Sequence, residues 1–428
     1  MRTLPVTSLD EAFINLGSKT PMSVEFEVKV SGRLDIDCLT RALRAAALTH
    51  PLARAKLAPA AIGSRTLTWV IPDSADYLSV EVTDEPSRIV RARLQSVAPN
   101  LYQSPSFHVA LVREDDGDRL MFNLHHATFD GMGGIRFLIS VAREYAGTQD
   151  PAGGPDIMQA RDLKKLFGSR RLSDLTPRVA KVAGDLPNRR RITKVTPDGG
   201  SADGGYVLSQ LRLTADEVAI AAGRRPRGAT INDLVIAAHA LTIIRWNSEH
   251  AGELGDTVSV MMPVNLRPAE WSSEVVSNFA SYLTVFVPTT ANDLTEATGL
   301  VRDETTTLKQ NGAANWIVDV LEPGNLLPNV LKRSLTSLLP LVEKQFVETT
   351  TLSNLGRQAV PAFGDAGEVR ELWFSPPLVS QTIPVSVGVA GHNRELFFGF
   401  RGGGAAMSQD ALDRFALMYR ETLVGHSA

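Results

Sequence analysis

A single cysteine, Cys38, stands in a chain of 428 residues. One thiol can neither close a disulfide within the chain nor build a multi-cysteine metal site, and it suits a reducing compartment. Its place in an amphipathic pattern predicts a core residue. No run of about 18 apolar residues occurs, so no membrane-spanning helix is expected. The first residues, Met1-Arg-Thr-Leu-Pro-Val-Thr-Ser8, hold no apolar leader stretch, and a cytoplasmic protein is expected. Neither sign of charge dominates: 44 Lys and Arg oppose 47 Asp and Glu, a net charge of −3, which gives no global attraction to nucleic acid or membrane. His-Glu-x-x-His, Gly-x-Ser-x-Gly and the Walker-type Gly-Lys-Ser/Thr are missing, so zinc-protease, α/β-hydrolase and P-loop chemistry have no residues to rest on. Gly131-Met-Gly133-Gly134 begins like a dinucleotide fingerprint, but Arg136 stands where its last glycine belongs.

What is present is a chain too long for one ordinary core, with 43% hydrophobic residues, enough for two. The spacing predicts strands at 24–30, 66–71 and 78–83, helices at 35–50 and 86–97, then a hairpin of 106–113 and 119–124 around an acidic turn. In the first helix Ile36, Leu39, Leu43 and Ala46 fall on one face, and Pro51 ends it. The hairpin leads into His125-His126-Ala127-Thr128-Phe129-Asp130-Gly131, after which Ile135, Leu138, Ile139 and Ala142 recur at helical spacing. Two histidines thus sit where a strand ends and a helix begins. On an extended backbone only one of two neighbours faces a given side, and imidazole, with a pKa near 6.5, is the side chain best suited to move a proton at neutral pH.

His-His-x-x-x-Asp-Gly in this setting resembles the motif of the CoA-dependent acyltransferase superfamily, which includes peptide condensation domains, wax ester synthases and polyketide-associated acyltransferases. The resemblance implies that His126 is the general base, that His125 is structural, that Asp130 is an ion-pair partner facing away from substrate, and that Gly131 permits the turn. His50-Pro51-Leu52-Ala53-Arg54 is similar to a condensation-domain stretch whose arginine pairs with that aspartate. Arg54 is therefore the first expected partner of Asp130, followed by Arg267 and Arg357. Pro263-Val-Asn-Leu-Arg267, the strand beginning at Asn278, and Ser353-Asn354-Leu-Gly-Arg357 resemble segments of the second domain in the same enzymes, and place Arg267, Asn278, Ser353, Asn354 and Arg357 at an expected tunnel or interface. The terminal Asp-Phe-Gly-Trp-Gly of the BAHD acyltransferases is missing, which argues against that branch.

The resemblance implies a mixed α/β fold (α+β mixed) of two chloramphenicol-acetyltransferase-like lobes, each a mixed sheet with helices, around a central tunnel. The expected division is 1–155 for the lobe bearing the motif, 156–205 for a crossover, and 206–428 for the second lobe. Between Arg161 and Lys194 the crossover holds eleven Lys or Arg against three Asp. That run reads either as a solvated linker or as a contact for donor phosphate, centred on Arg189, Arg190 and Arg191, with Arg224-Arg225-Pro226-Arg227 as a second candidate. In the second half, strands are expected at 206–213, 257–264, 278–287 and 350–357, a buried helix at 231–246 carrying His239 as a core residue, and a closing hairpin and helix.

The implied activity is transfer of an acyl group from acyl-CoA or an acyl carrier protein to an acceptor hydroxyl. No cofactor or metal is expected, only the CoA or phosphopantetheine thioester as substrate. The alternatives are a free-standing condensation enzyme that forms an amide from an amine acceptor, and a carrier-docking module without catalysis. Expected partners are the small-molecule acceptor and the thioester donor, free or on a carrier protein, with no nucleic acid; the chain is expected to be a monomer.

Overall fold

The computed structural model describes residues 1–17, 20–61, 63–150, 156–167, 191–201, 204–271, 275–310, 321, 327–329, 331–332, 348–378 and 383–425. A small antiparallel sheet joins β1 (Arg2–Pro5), β3 (Lys56–Leu57) and β4 (Thr68–Ile71) in the order β1-β4-β3. The first large sheet has the order β12-β2-β7-β6-β5, from β2 (Ser23–Val30), β5 (Glu81–Thr83), β6 (Phe107–Glu114), β7 (Gly117–His125) and β12 (Val369–Ser375). The second has the order β10-β9-β11-β13-β14-β8, from β8 (Tyr206–Leu213), β9 (Thr257–Asn265), β10 (Ala280–Pro288), β11 (Thr350–Arg357), β13 (Val385–His392) and β14 (Glu395–Gly403). Both mix parallel and antiparallel pairs: β5–β6 runs parallel in the first, β9–β11 and β11–β13 in the second. The helices are α1 (Ser8–Leu16), α2 (Ile36–Thr49), α3 (Ser87–Ser96), α4 (Gly131–Tyr145), α5 (Leu163–Phe167), α6 (Ala215–Gly223), α7 (Ile231–Glu249), α8 (Leu294–Gln310) and α9 (Gln409–Val424). No helix among the described residues is long and apolar enough to cross a membrane.

Local chemistry accounts for most of these boundaries. Asp35 caps α2 by accepting from the Cys38 amide at 2.7 Å, and Thr230 and Asp233 form a reciprocal capping box at the start of α7. Around α7, apolar residues face every side, as expected of a helix buried within a domain. On α2 the buried face is Leu39, Ala42, Leu43, Ala46 and Ala47; Ile36, expected inside, is exposed, and Cys38 is only half-buried, its Sγ 3.6 Å from the Tyr145 carbonyl. The apolar stripe starts one turn later than the spacing suggests because Ile36 occupies the first helical position, beyond the packed surface.

Strand β12 crosses the division expected at 206. Although it lies in the second half of the chain, it pairs antiparallel with β2, Phe374 opposite Phe26 and Ser375 opposite Glu25, and completes the first sheet. Val369, Leu372 and Phe374 enter the core beneath α2 and α4. Each such side chain contributes roughly 1.5–3 kcal/mol on burial, so the first lobe is unfinished without residues from the second half.

The alternation in β2 predicts one wet face, yet all eight of its residues are buried. Val24, Phe26, Val28 and Val30 meet the core, while the other face is roofed by α3 and by the second sheet. There Arg91 holds Glu27 at 2.8 Å, Gln210 reaches Glu27 from β8 at 3.3 Å, and Lys29 meets Glu114 and Asp116. Opposite charges and hydrogen bonds replace water along this face.

Candidate active site

Strand β7 delivers His125 opposite Ser23, and the chain then leaves the sheet. The His125 carbonyl accepts from the amides of Thr128 and Phe129 at 3.0 and 3.1 Å, and its Nδ1 accepts from the Ala127 amide at 3.1 Å. With that nitrogen unprotonated, the imidazole proton belongs on Nε2. His125 thus organises the turn. His126 is held by its own amide, which donates to the Met22 carbonyl at 2.8 Å. Its ring lies 3.7 Å from the ring of Phe13 on α1, with planes 11° apart, and its Nδ1 is buried without a hydrogen-bond partner among the described residues. Burial, opposed by its own backbone and the nearby Asp130 charge, lowers its pKa to about 4, so at neutral pH the imidazole is the free base. Burial likewise takes His125 to about 3.

Asp130 does not reach over to His126. It caps α4 by accepting from the Gly133 amide at 2.7 Å, takes both terminal nitrogens of Arg267 at 2.6 and 2.8 Å, and accepts from the Phe279 amide at 2.7 Å. Four donors occupy its lone pairs, and both side chains are almost wholly buried. Arg267 further donates to the carbonyls of Val275 and Ser277 and lies over the Phe279 ring. This cluster bolts the start of α4 to the loop after β9.

The first expectation for the partner of Asp130 was Arg54, and the structure overturns it. Arg54 donates to the carbonyls of Ala47 at 2.6 Å and Pro72 at 3.0 Å, because the turn of 51–54 leaves it beside the free carbonyls at the end of α2. That turn still supports the motif indirectly: Ser106 Oγ donates to the Leu52 carbonyl and accepts from Thr128. Arg357, third in order, is exposed at the end of β11. Gly131 also acts differently from expectation. It occupies an ordinary first helical position, and a Cβ there would lie 2.6 Å from Leu355 of β11, so its smallness serves close contact between the lobes. Gly134 is tighter still, with Phe26 only 2.2 Å from where a Cβ would be.

Among the other expected residues, Asn278 is buried and bridges Leu9 and Ala280. Asn354 donates to Asn232 at 3.2 Å and accepts from Gly356, and Ser353 is buried beside it opposite Gly388. His239 is a buried core residue bonded to Thr350. Arg189 and Arg190 lie outside the described residues, as does most of the basic run between Arg161 and Lys194. Arg191 is exposed and holds Asp256 at 3.1 Å. Arg161, first of that run, is no solvated cation: it is buried against Asp10 of α1 and donates to Ser277 at 3.0 Å. In the second basic candidate, Arg224 donates to the carbonyls of Thr422 and Leu423 at the end of α9, and Arg225 donates to those of Ala222 and Ala229. No group of three or more residues able to hold a metal ion occurs among the described residues.

The sequence reading overlooked α1, and with it Phe13 and Asp10. The available signal was Thr7-Ser-Leu-Asp10, a capping box in which Thr7 and Asp10 satisfy each other's backbone amides.

The buried groups imply opposite pH limits. As pH falls from about 6.5 toward 4, the unfolded chain binds protons that buried His125 and His126 refuse, so stability falls. Glu25, whose pKa burial raises from 4.5 to about 8, works the other way: between those values the unfolded chain loses a proton that the native state keeps. Stability from this group therefore declines as pH rises toward 8. Denaturation midpoints measured against pH should fall less between pH 6 and 8 in Glu25→Gln than in the parent chain.

No family model matches the chain. Two curated proteins of Mycobacterium tuberculosis, Uncharacterized protein Rv2305 and Uncharacterized protein MT2362, are each 52% identical to it over 426 residues, covering 99% of this chain and 99% of theirs. Among solved structures, the first condensation domain of the calcium-dependent antibiotic synthetase is similar with a TM-score of 0.72 at 15% identity, covering 100% of this chain and 97% of that one. The starter condensation domain of rhizomide synthetase, in complex with C8-CoA and Leu-SNAC, gives 0.68 at 16%, covering 98% and 94%. The epimerization domain from the third module of tyrocidine synthetase B gives 0.68 at 16%, covering 99% and 96%. The chain belongs to one family with the two Mycobacterium tuberculosis proteins, and it has the two-lobed fold of the condensation domains.

Proposed function

We propose that the protein transfers an acyl group from a thioester, on CoA or on a carrier protein, to the hydroxyl of a small acceptor, with His126 as the general base. The observation that carries this reading is the state of His126: a neutral, buried imidazole at the end of β7, with no carboxylate among the described residues bonded to it. A thioester carbonyl is already activated. The enzyme has to remove the acceptor's proton as its oxygen attacks, and return that proton to the departing thiolate once the tetrahedral adduct collapses. One imidazole performs both transfers. Charging it only transiently suits a site whose burial disfavours a resident cation.

Amide formation is the second reading, favoured by the similarity to a condensation domain whose solved complex holds a leucine derivative beside C8-CoA. A panel of acyl-CoAs and carrier-bound thioesters, each with alcohol or amine acceptors, tests both, with free thiol as the readout and product mass to separate ester from amide. Thiol release that depends on an alcohol supports the first reading and release that depends on an amine the second. No acceptor-dependent release from any donor would sink both.

A further inference from the structure

Among the described residues, the imidazole plane of His126 is fixed by a ring and by no hydrogen bond to a carboxylate. A histidine acting as base needs its ring held, because the torsion about its Cβ–Cγ bond is broad and soft. The usual device is a carboxylate or carbonyl bonded to the second ring nitrogen. Here Nδ1 has no such partner, and the nearest motif carboxylate, Asp130, is engaged by Arg267, Gly133 and Phe279. Among the described residues its one close flat neighbour is Phe13, face to face at 3.7 Å and 11°. A turn of the imidazole about its soft torsion would drive its edge into that phenyl face.

The shelf that carries Phe13 is itself pinned. One helical turn before Phe13, Asp10 closes the capping box with Thr7, accepts from the Trp69 indole at 3.0 Å, and meets Arg161 in a fully buried pair. Lys332 holds Glu11 at 2.7 Å, and Asn278 donates to the Leu9 carbonyl. Arg161 also bonds Ser277, whose carbonyl accepts from Arg267. The same network therefore secures the shelf under His126 and the Asp130 clamp beyond it. We propose that Phe13 is a positioning residue, whose ring stacks on His126 and sets the orientation in which its imidazole meets the acceptor proton. This rests on the reading of His126 as the base.

Two variants separate positioning from mere packing. Phe13→Leu keeps apolar bulk and removes the flat face; Phe13→Tyr keeps the face. Misorienting a catalytic group by about an ångström costs on the order of a hundredfold, so Phe13→Leu is expected to lower kcat about 10–100-fold, with KM within about twofold of the parent and a denaturation midpoint close to it, while Phe13→Tyr restores kcat. A Phe13→Leu protein with near-parental kcat overturns the proposal, as does a loss carried by KM and midpoint together. A second readout needs no substrate: carbethoxylation of His126 by diethyl pyrocarbonate, followed by peptide mapping against pH. Phe13→Ala opens one face to water, so modification should be faster, with its pH midpoint moved up toward the ordinary imidazole value. Unchanged modification overturns the stacking role whatever the thioester assay shows, whereas absence of thiol release in the parent chain strikes only the assignment of function.

Discussion

His126→Ala is expected to release thiol about 10²–10⁴-fold more slowly than the parent chain while its fold survives. The ring is a side chain just past the strand end; its backbone amide keeps the bond to Met22 when the ring is removed, and among the described residues its removal costs one stacking contact and no ion pair. It also removes a group that the native state keeps uncharged at some cost below pH 6.5. His125→Ala should do the reverse. Its Nδ1 satisfies the Ala127 amide within a buried turn, and a buried donor left without a partner costs roughly 1–3 kcal/mol. The pair of variants thus assigns chemistry to one histidine and architecture to the other. An active His126→Ala beside a folded but inactive His125→Ala would reverse the assignment.

Asp130→Ala is expected to lose roughly 3–5 kcal/mol of stability, the range found when one member of a buried ion pair is removed. The loss comes from Arg267, whose guanidinium is wholly buried and would keep the Val275 and Ser277 carbonyls but lose both carboxylate contacts. The Gly133 and Phe279 amides would be orphaned as well. Arg267→Ala should cost a similar amount, and the double variant clearly less than the sum of the two, since neither charge is then stranded. Chemical denaturation of the four proteins gives the comparison. A fully stable but inactive Asp130→Ala would mean that the carboxylate takes part in proton transfer.

Arg267 shows what could be read from the sequence and what could not. The motif, the strand before it and the helix after it are local patterns, written in alternation and in helical spacing, and their elements fall within a few residues of where they were expected. The partner of Asp130 is a contact between positions 137 apart, and nothing within either segment specifies it. Arg54 is suggested by the resemblance of His50–Arg54 to a condensation-domain stretch, yet the end of α2 offers it the Ala47 carbonyl at 2.6 Å. The polar residues of β2 read as a wet face because alternation reports polarity without reporting what covers it; only the second sheet and α3 show that the cover is protein. Phe13 was invisible for the same reason. A lone aromatic in a short helix declares neither its face nor its neighbour.

The pairing of β12 with β2 has a consequence for how the chain is made. Val30 finds Val369 across about 340 intervening residues, so the loop to be closed is very long, and contacts of such separation form slowly. During synthesis the first sheet must wait, with one edge of β2 unpaired, until nearly the whole chain has left the ribosome. An unpaired edge backed by Phe26 and Val28 is a template for association with other strands. Lys29 and the acidic side chains of Glu25 and Glu27 alternate along that edge, and charge is one of the means by which exposed strands resist such pairing. Glu27, which meets Gln210 of the second sheet in the finished protein, would then also serve earlier, as a guard on an edge still waiting for its partner.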